Sequence, residues 1–165
     1  MIIEAHAVTP QPWKNGGGVT RELLRWPAEG GAVEGAGHWR LRLSVADIAA
    51  DGPFSAFPGV TRWFAVLDGA GVVLSLPDGD HRLRPGDAPL CFDGAEAPGC
   101  RLLDGPTVDL NLMLQGLDGA LQRAQAGDAA PAWPQLGFFE AAARRLHWPA
   151  TGPAPADGFW IGVAP

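Results

Sequence analysis

Two stretches of this chain alternate apolar and polar residues at every second position. In 38–47, Trp39, Leu41, Leu43 and Val45 share one face, while His38, Arg40, Arg42 and Ser44 share the other. In 107–115, Thr107, Asp109, Asn111, Met113 and Gln115 oppose Val108, Leu110, Leu112 and Leu114. A period of two is the pattern of a strand with one buried face, and it does not fit the 3.6-residue period of a helix. Around these segments the chain is cut into short pieces by 23 Gly and 16 Pro in 165 residues, so strands are brief and turns frequent. The fold class predicted is all-β, a sandwich or barrel.

The remaining segments agree with this reading. A β-like run over 2–9 ends at Pro10 and Pro12, which cannot donate to a ladder. Residues 19–26 read as a strand, followed by a loop containing Gly30, Gly31, Gly35 and Gly37. Residues 62–67 and 72–76 flank Asp68-Gly69-Ala70-Gly71 as a hairpin would. Short strands are expected at 81–83, 88–92 and 100–103, with weaker signals at 121–125, 137–141, 144–148 and 159–163. Residues 140–146 read equally well as a helical turn. A chain of this length suits one domain or two small, intimately packed ones, and it buries about 70% of its unfolded surface.

Charge and motif content exclude several function classes. The net charge is -6, and the 11 Arg are scattered instead of clustered, which argues against nucleic acid as a partner. No apolar stretch approaches the roughly 18 residues of a membrane span, and the start lacks a signal-peptide pattern, so a cytoplasmic protein is expected. In that compartment Cys91 and Cys100 are expected to be reduced structural thiols, although a hairpin could bring them together. His6, His38, His81 and His147 are widely separated, with no His-x-His or Cys-x-x-Cys spacing, so no metal and no cofactor is expected. The three serines sit in no nucleophile elbow. Asn15-Gly16-Gly17-Gly18 also lacks the Gly-Lys-Ser/Thr ending of a phosphate loop.

What stands out is a set of rare polar residues. Lys14 is the only lysine, and Asn15 and Asn111 are the only asparagines. The bland reading of Asn15-Gly16 is a tight turn requiring positive φ, which leaves the lysine unexplained. Lys14, Arg40 and Arg62 lie beside aromatics and Gly/Pro loops, and a guanidinium can hold a carboxylate through two parallel hydrogen bonds. The competing reading pairs each Arg with an acid such as Glu22, Asp47 or Asp109 on the surface, worth only about 0–1 kcal/mol. The segment 51–59, Asp-Gly-Pro-Phe-Ser-Ala-Phe-Pro-Gly, is a stiff aromatic loop leading into Arg62.

These motifs together resemble one family. The segments 13–22 (WKNGGGVTRE), 39–44 (WRLRLS), 51–62 (DGPFSAFPGVTR), 102–106 (LLDGP) and 109–113 (DLNLM) are similar, in order, to the HutD/Ves family of bacterial proteins. The resemblance implies a compact bicupin: a first cupin-like barrel over 1–106 and a smaller, reduced one over 107–165, packed intimately and without metal-binding histidines. It also implies an accessory or regulatory role in histidine utilisation, with a ligand of the formylglutamate type. Carried onto this sequence, the family's anion-binding arginine is Arg62. Trp13, Lys14 and Asn15 lie around it, with Arg40, Ser44 and Asn111 as supports.

Two functional classes stay open from the sequence. One is a metal-independent module that binds a small carboxylate, with Arg62 as anchor. The other is a metal-independent enzyme for a small acidic metabolite, in which a buried Lys14 serves as general base or nucleophile. A protein-interaction domain is a third, weaker option, and a homodimer is left open.

Overall fold

The computed structural model describes residues 1–26 and 39–164; the glycine-rich loop and His38 lie outside the described residues. The strands are β1 (Ile2–Glu4), β2 (Gln11–Pro12), β3 (Gly18–Trp26), β4 (Leu41–Ile48) and β5 (Gly52–Pro53). They continue with β6 (Val60–Asp68), β7 (Val72–Leu76), β8 (Gly79–Leu83), β9 (Leu90–Asp93) and β10 (Gly99–Leu102). The last five are β11 (Thr107–Gln115), β12 (Asp118–Ala124), β13 (Gln135–Glu140), β14 (Arg145–His147) and β15 (Gly158–Ala164).

They assemble into three antiparallel sheets: β2-β3-β4-β11-β6-β9, β5-β10-β7-β8 and β1-β14-β13-β15-β12. The two alternating segments of the sequence are adjacent strands, β4 and β11, inside the six-stranded sheet. Among the described residues none of the sheets closes on itself, so the barrels expected from the resemblance are here open sheets packed face to face. Thr107–Gln115, the segment at which the second barrel was expected to begin, runs between β4 and β6. The five-stranded sheet draws on both ends of the chain, β1 and β12 to β15.

The six-stranded sheet is the middle layer. Its apolar face buries Leu41, Leu43, Val45, Ala65, Leu110, Leu112 and Leu114 against Leu121, Phe139, Leu146, Phe159, Ile161 and Val163 of the five-stranded sheet. Each fully buried side chain of this size contributes about 1.5–3 kcal/mol. Its other face is divided. At one end Ile48, Phe64 and Val66 pack on Val72, Leu74, Leu83 and Cys100 of the four-stranded sheet. At the other end Arg42, Ser44, Asp109 and Asn111 point into a cavity. β3 carries a bulge between Glu22 and Leu24. It lets Leu23 and Leu24 both bury toward the apolar core while Glu22 turns to the cavity.

Three local expectations are corrected. Strand pairing over 2–9 stops at Glu4, and Ala5–Ala7 is a short 3-10 helix. The two segments flanking Asp68–Gly71 belong to different sheets, because β6 pairs with β9 and β11 while β7 pairs with β8 and β10. Trp39 precedes β4 and packs with Val60 and Met113, away from Leu41 and Leu43. Cys91 and Cys100 likewise fall on strands of different sheets and are both free thiols. No helix among the described residues is long and apolar enough to cross a membrane.

Candidate functional site

Arg62 enters the cavity from β6, in register with Met113 of β11 and Phe92 of β9. It is only 4% exposed. The loop 51–59 is tied down by Phe54 N–H donating to Pro98 O at 2.9 Å and Phe57 N–H donating to Gly94 O at 2.7 Å. This places two of the three rings that surround the guanidinium: Phe54, Phe57 and Phe92 have centroids 5.2, 5.5 and 5.2 Å from its carbon. Ring faces attract a cation by about 0.5–2 kcal/mol each, but they do not satisfy its N–H groups. Nη1 reaches Ser55 O at a long 3.5 Å, and Nε has no hydrogen-bond partner among the described residues. Burial lowers the guanidinium pKa to about 10, with Asp109 pulling it up and Arg42 pushing it down. Arg62 is therefore still a cation at neutral pH.

Asp109 lies on β11 opposite Ala46 and Val66, 1% exposed, and its Oδ1 has no partner. Burial raises its pKa to about 8; Arg62 lowers it and Asp47 raises it further. At neutral pH the carboxyl is mostly protonated. Two positions along the strand, Asn111 sits between Ser44 and Phe64, and its Oδ1 is also unpartnered. A buried polar atom without a partner costs about 1–3 kcal/mol. Three such atoms in one cavity mark a surface built to receive a polar ligand.

The neighbouring charges are already paired. Arg42 Nε donates to Glu22 Oε2 at 2.8 Å, and its guanidinium carbon lies 5.3 Å from the Trp39 ring. Arg25 donates to the same carboxylate at 2.8 and 3.1 Å. Burial raises the Glu22 pKa, but the hydrogen bonds and charges of Arg25 and Arg42 outweigh it and hold the carboxyl below its ordinary value. Glu22 thus stays ionised and holds Arg42 together with Arg25, so that among the described residues Arg62 is the buried cation without a hydrogen-bonded acid.

The rim is the turn over 13–18. Gly16 N–H donates to Trp13 O at 3.0 Å, Gly17 N–H to Asn15 Oδ1 at 2.9 Å, and Trp13 N–H to Gly18 O at 2.9 Å. Gly16 has φ +73°, and a Cβ on Gly18 would lie 2.5 Å from Asp47 O and 3.2 Å from the Trp13 ring. The bland reading of the glycines as a shaped turn is therefore correct. That turn fixes Trp13, whose Nε1 donates to Thr20 Oγ1 at 2.8 Å and whose ring meets Phe54 edge-on at 6.2 Å. Lys14 is exposed at the rim, without the burial that the general-base role asked of it.

Trp13, Lys14, Asn15, Ser44, Arg62 and Asn111 line one cavity of about 490 Å³. Arg40 does not line it. It lies one residue before β4 begins, and its Nη2 donates to Gly116 O at 2.5 Å across the sheet end. The cavity also takes in Asp109, Arg42, Glu22, Phe54 and Phe57, which the sequence reading did not place in a site. Two of these had a signal: alternation puts Asp109 on the face of Asn111, and Arg42 on that of Ser44. Among the described residues no group of three His, Cys, Asp or Glu gathers as a metal site.

The HutD family model matches residues 5–132, which carry the whole cavity. This chain belongs to the HutD family. Its fold is all-β, as the resemblance implied. The HutD-family structure from Pseudomonas fluorescens SBW25, obtained in a formate condition, superposes with a TM-score of 0.81 at 28% identity, covering 99% of this chain and 97% of that one. An uncharacterized 21.2 kDa protein in the hutC 3′ region of Pseudomonas putida is 43% identical over 114 residues, 68% of this chain and 56% of the relative. Protein Ves of Citrobacter koseri is 35% identical over 102 residues, 61% of this chain and 50% of the relative. The matched segment thus spans about half the length of these curated relatives.

Proposed function

We propose that this protein binds a small carboxylate in the cavity of its six-stranded sheet, with Arg62 as the anchor and Lys14 as a second positive charge at the mouth. The observation that carries this reading is the Arg62 guanidinium: buried, ringed by three phenylalanines, and left with an Nε that has no hydrogen-bond partner among the described residues. A carboxylate there makes charge-assisted hydrogen bonds worth about 1.5–3 kcal/mol each. Desolvation by the aromatic wall strengthens them. Asn111 and Ser44 offer further polar contacts on the same wall, while Trp13 and Phe54 provide an apolar side for a short carbon chain.

The family and the relative in a hutC 3′ region point this binding toward histidine utilisation, in an accessory or regulatory role. The formate condition of the Pseudomonas fluorescens relative makes formate a natural probe, and N-formylglutamate extends it with a second carboxylate for Lys14. Isothermal titration calorimetry with both compounds tests the reading. Binding by the wild type that is lost in Arg62→Met, with the fold retained by circular dichroism, is the expected result. Equal affinity in the two proteins contradicts it.

A further inference from the structure

The cavity holds a feature that an anion site does not need: a buried acid beside the buried arginine. Asp109 is 1% exposed, lines the same cavity as Arg62, and has an unpartnered Oδ1. As a carboxylate it would compete with an incoming anion for Arg62 and repel it. As a neutral acid it has an O–H to donate, which is what a ligand carboxylate accepts.

Resting on the carboxylate-binding reading above, we propose that Asp109 is the proton carrier of the site, contacting the bound anion as a neutral acid while Arg62 supplies the charge. When Asp109 is ionised beforehand, the ligand enters together with one proton, taken from solvent onto the Asp109 carboxylate. The ligand class is thereby narrowed to anions that accept a hydrogen bond from a carboxylic acid. A ligand presenting only N–H donors would require the ionised form.

The charged groups around Asp109 are consistent with this. On β6, Arg62 favours the ionised form, whereas Asp47 on β4 opposes it. Glu22 of β3 and Arg42 of β4 bond to each other. On β10 the Cys100 thiol, pushed up to about 12 by burial and then by Asp109 and Asp51, is neutral. Lys14 is the remaining cation on the lining, at the exposed rim. Burial sets the balance, and Asp109 keeps its proton until about pH 8.

The test is formate affinity of the wild-type protein from pH 6 to pH 9.5, together with calorimetry at pH 9 in two buffers of different ionisation enthalpy. Affinity should be flat up to about pH 8 and then fall about tenfold per pH unit, with close to one proton taken up per formate at pH 9. Asp109→Asn, which keeps a neutral donor, should bind formate with no such fall between pH 8 and pH 9, below the range near pH 10 in which the Arg62 guanidinium itself loses its proton. Wild-type affinity that is flat to pH 9.5 with no proton uptake overturns the proposal, as does an unchanged fall in Asp109→Asn. The buffer comparison decides the matter on the wild type even if the variant does not fold. Failure of formate to bind at any pH defeats the carboxylate-binding reading itself, and this proposal with it.

Discussion

Arg62 and Asp109 reach one cavity from adjacent strands, and each shifts the ionisation of the other while neither has a complete set of hydrogen bonds. Such pairs cost folding energy, because a buried charge is repaid only when its partners are in place. Retaining both makes sense where a ligand completes them.

The first consequence is a pH dependence of stability. Asp109 has the ordinary aspartate pKa of 3.8 when unfolded and one of about 8 when folded, so between these values the native state binds the extra proton. Stability should therefore fall as pH rises from about 4 to about 8, by up to about 1.4 kcal/mol per pH unit from this group, and level off above. Urea denaturation at pH 5, 6.5 and 8 measures this fall. Asp109→Asn should flatten the profile and be the more stable protein at pH 8.

Removing the arginine moves the same profile. Arg62 lowers the Asp109 pKa, so in Arg62→Met the acid keeps its proton to a higher pH and the decline in stability should extend beyond pH 8. The methionine fills the space among Phe54, Phe57 and Phe92 without a buried charge, so the fold should survive. A denaturation series to pH 9.5 checks this, and an unmoved profile would mean that the two groups do not couple.

The rim turn separates two kinds of glycine. Gly18→Ala brings a Cβ to 2.5 Å from Asp47 O and should cost about 1–3 kcal/mol as backbone and Trp13 are displaced. Gly16→Ala meets nothing within 4 Å but keeps φ +73°, so it should cost about 1–2 kcal/mol with the cavity intact. Thermal melts and formate titrations of both variants should show binding impaired in Gly18→Ala and preserved in Gly16→Ala.

The thiols offer an independent check of layer order. Cys91 on β9 is exposed and Cys100 on β10 is buried between sheets, its thiol pushed up to about 12. Partial burial also raises the Cys91 pKa. A disulfide reagent at pH 8 should label one thiol per folded chain, slowly, and two after unfolding. Cys91→Ser should remove the native-state reaction.

The strands were legible wherever one face is apolar and the other polar. β4 and β11 follow directly from Leu41, Leu43, Val45 and from Leu110, Leu112, Leu114, and with them came Ser44 and Asn111. Arg40 falls outside the cavity lining because alternation holds only inside a strand, and β4 starts one residue later. The bulge at Glu22 was invisible for a related reason: Leu23-Leu24 simply breaks the period, and only pairing with β4 shows that both leucines bury. Sequence alone leaves Asp109 as one of several acids that could pair with an arginine at the surface. That its face turns inward, toward Arg62, depends on a four-stranded sheet packing over it, which is a long-range fact. Sheet membership of β6 and β7 was likewise hidden, since a short Gly-rich connection serves a hairpin and a sheet-to-sheet crossing equally well.

A crystal structure of the protein grown with formate at pH 6.5 tests the carboxylate site most directly. Density for a carboxylate within hydrogen-bond distance of the Arg62 guanidinium, with an Asp109 oxygen on the same anion, is the predicted result. A cavity holding only water at saturating formate, or formate bound elsewhere with Arg62 unchanged, would contradict it.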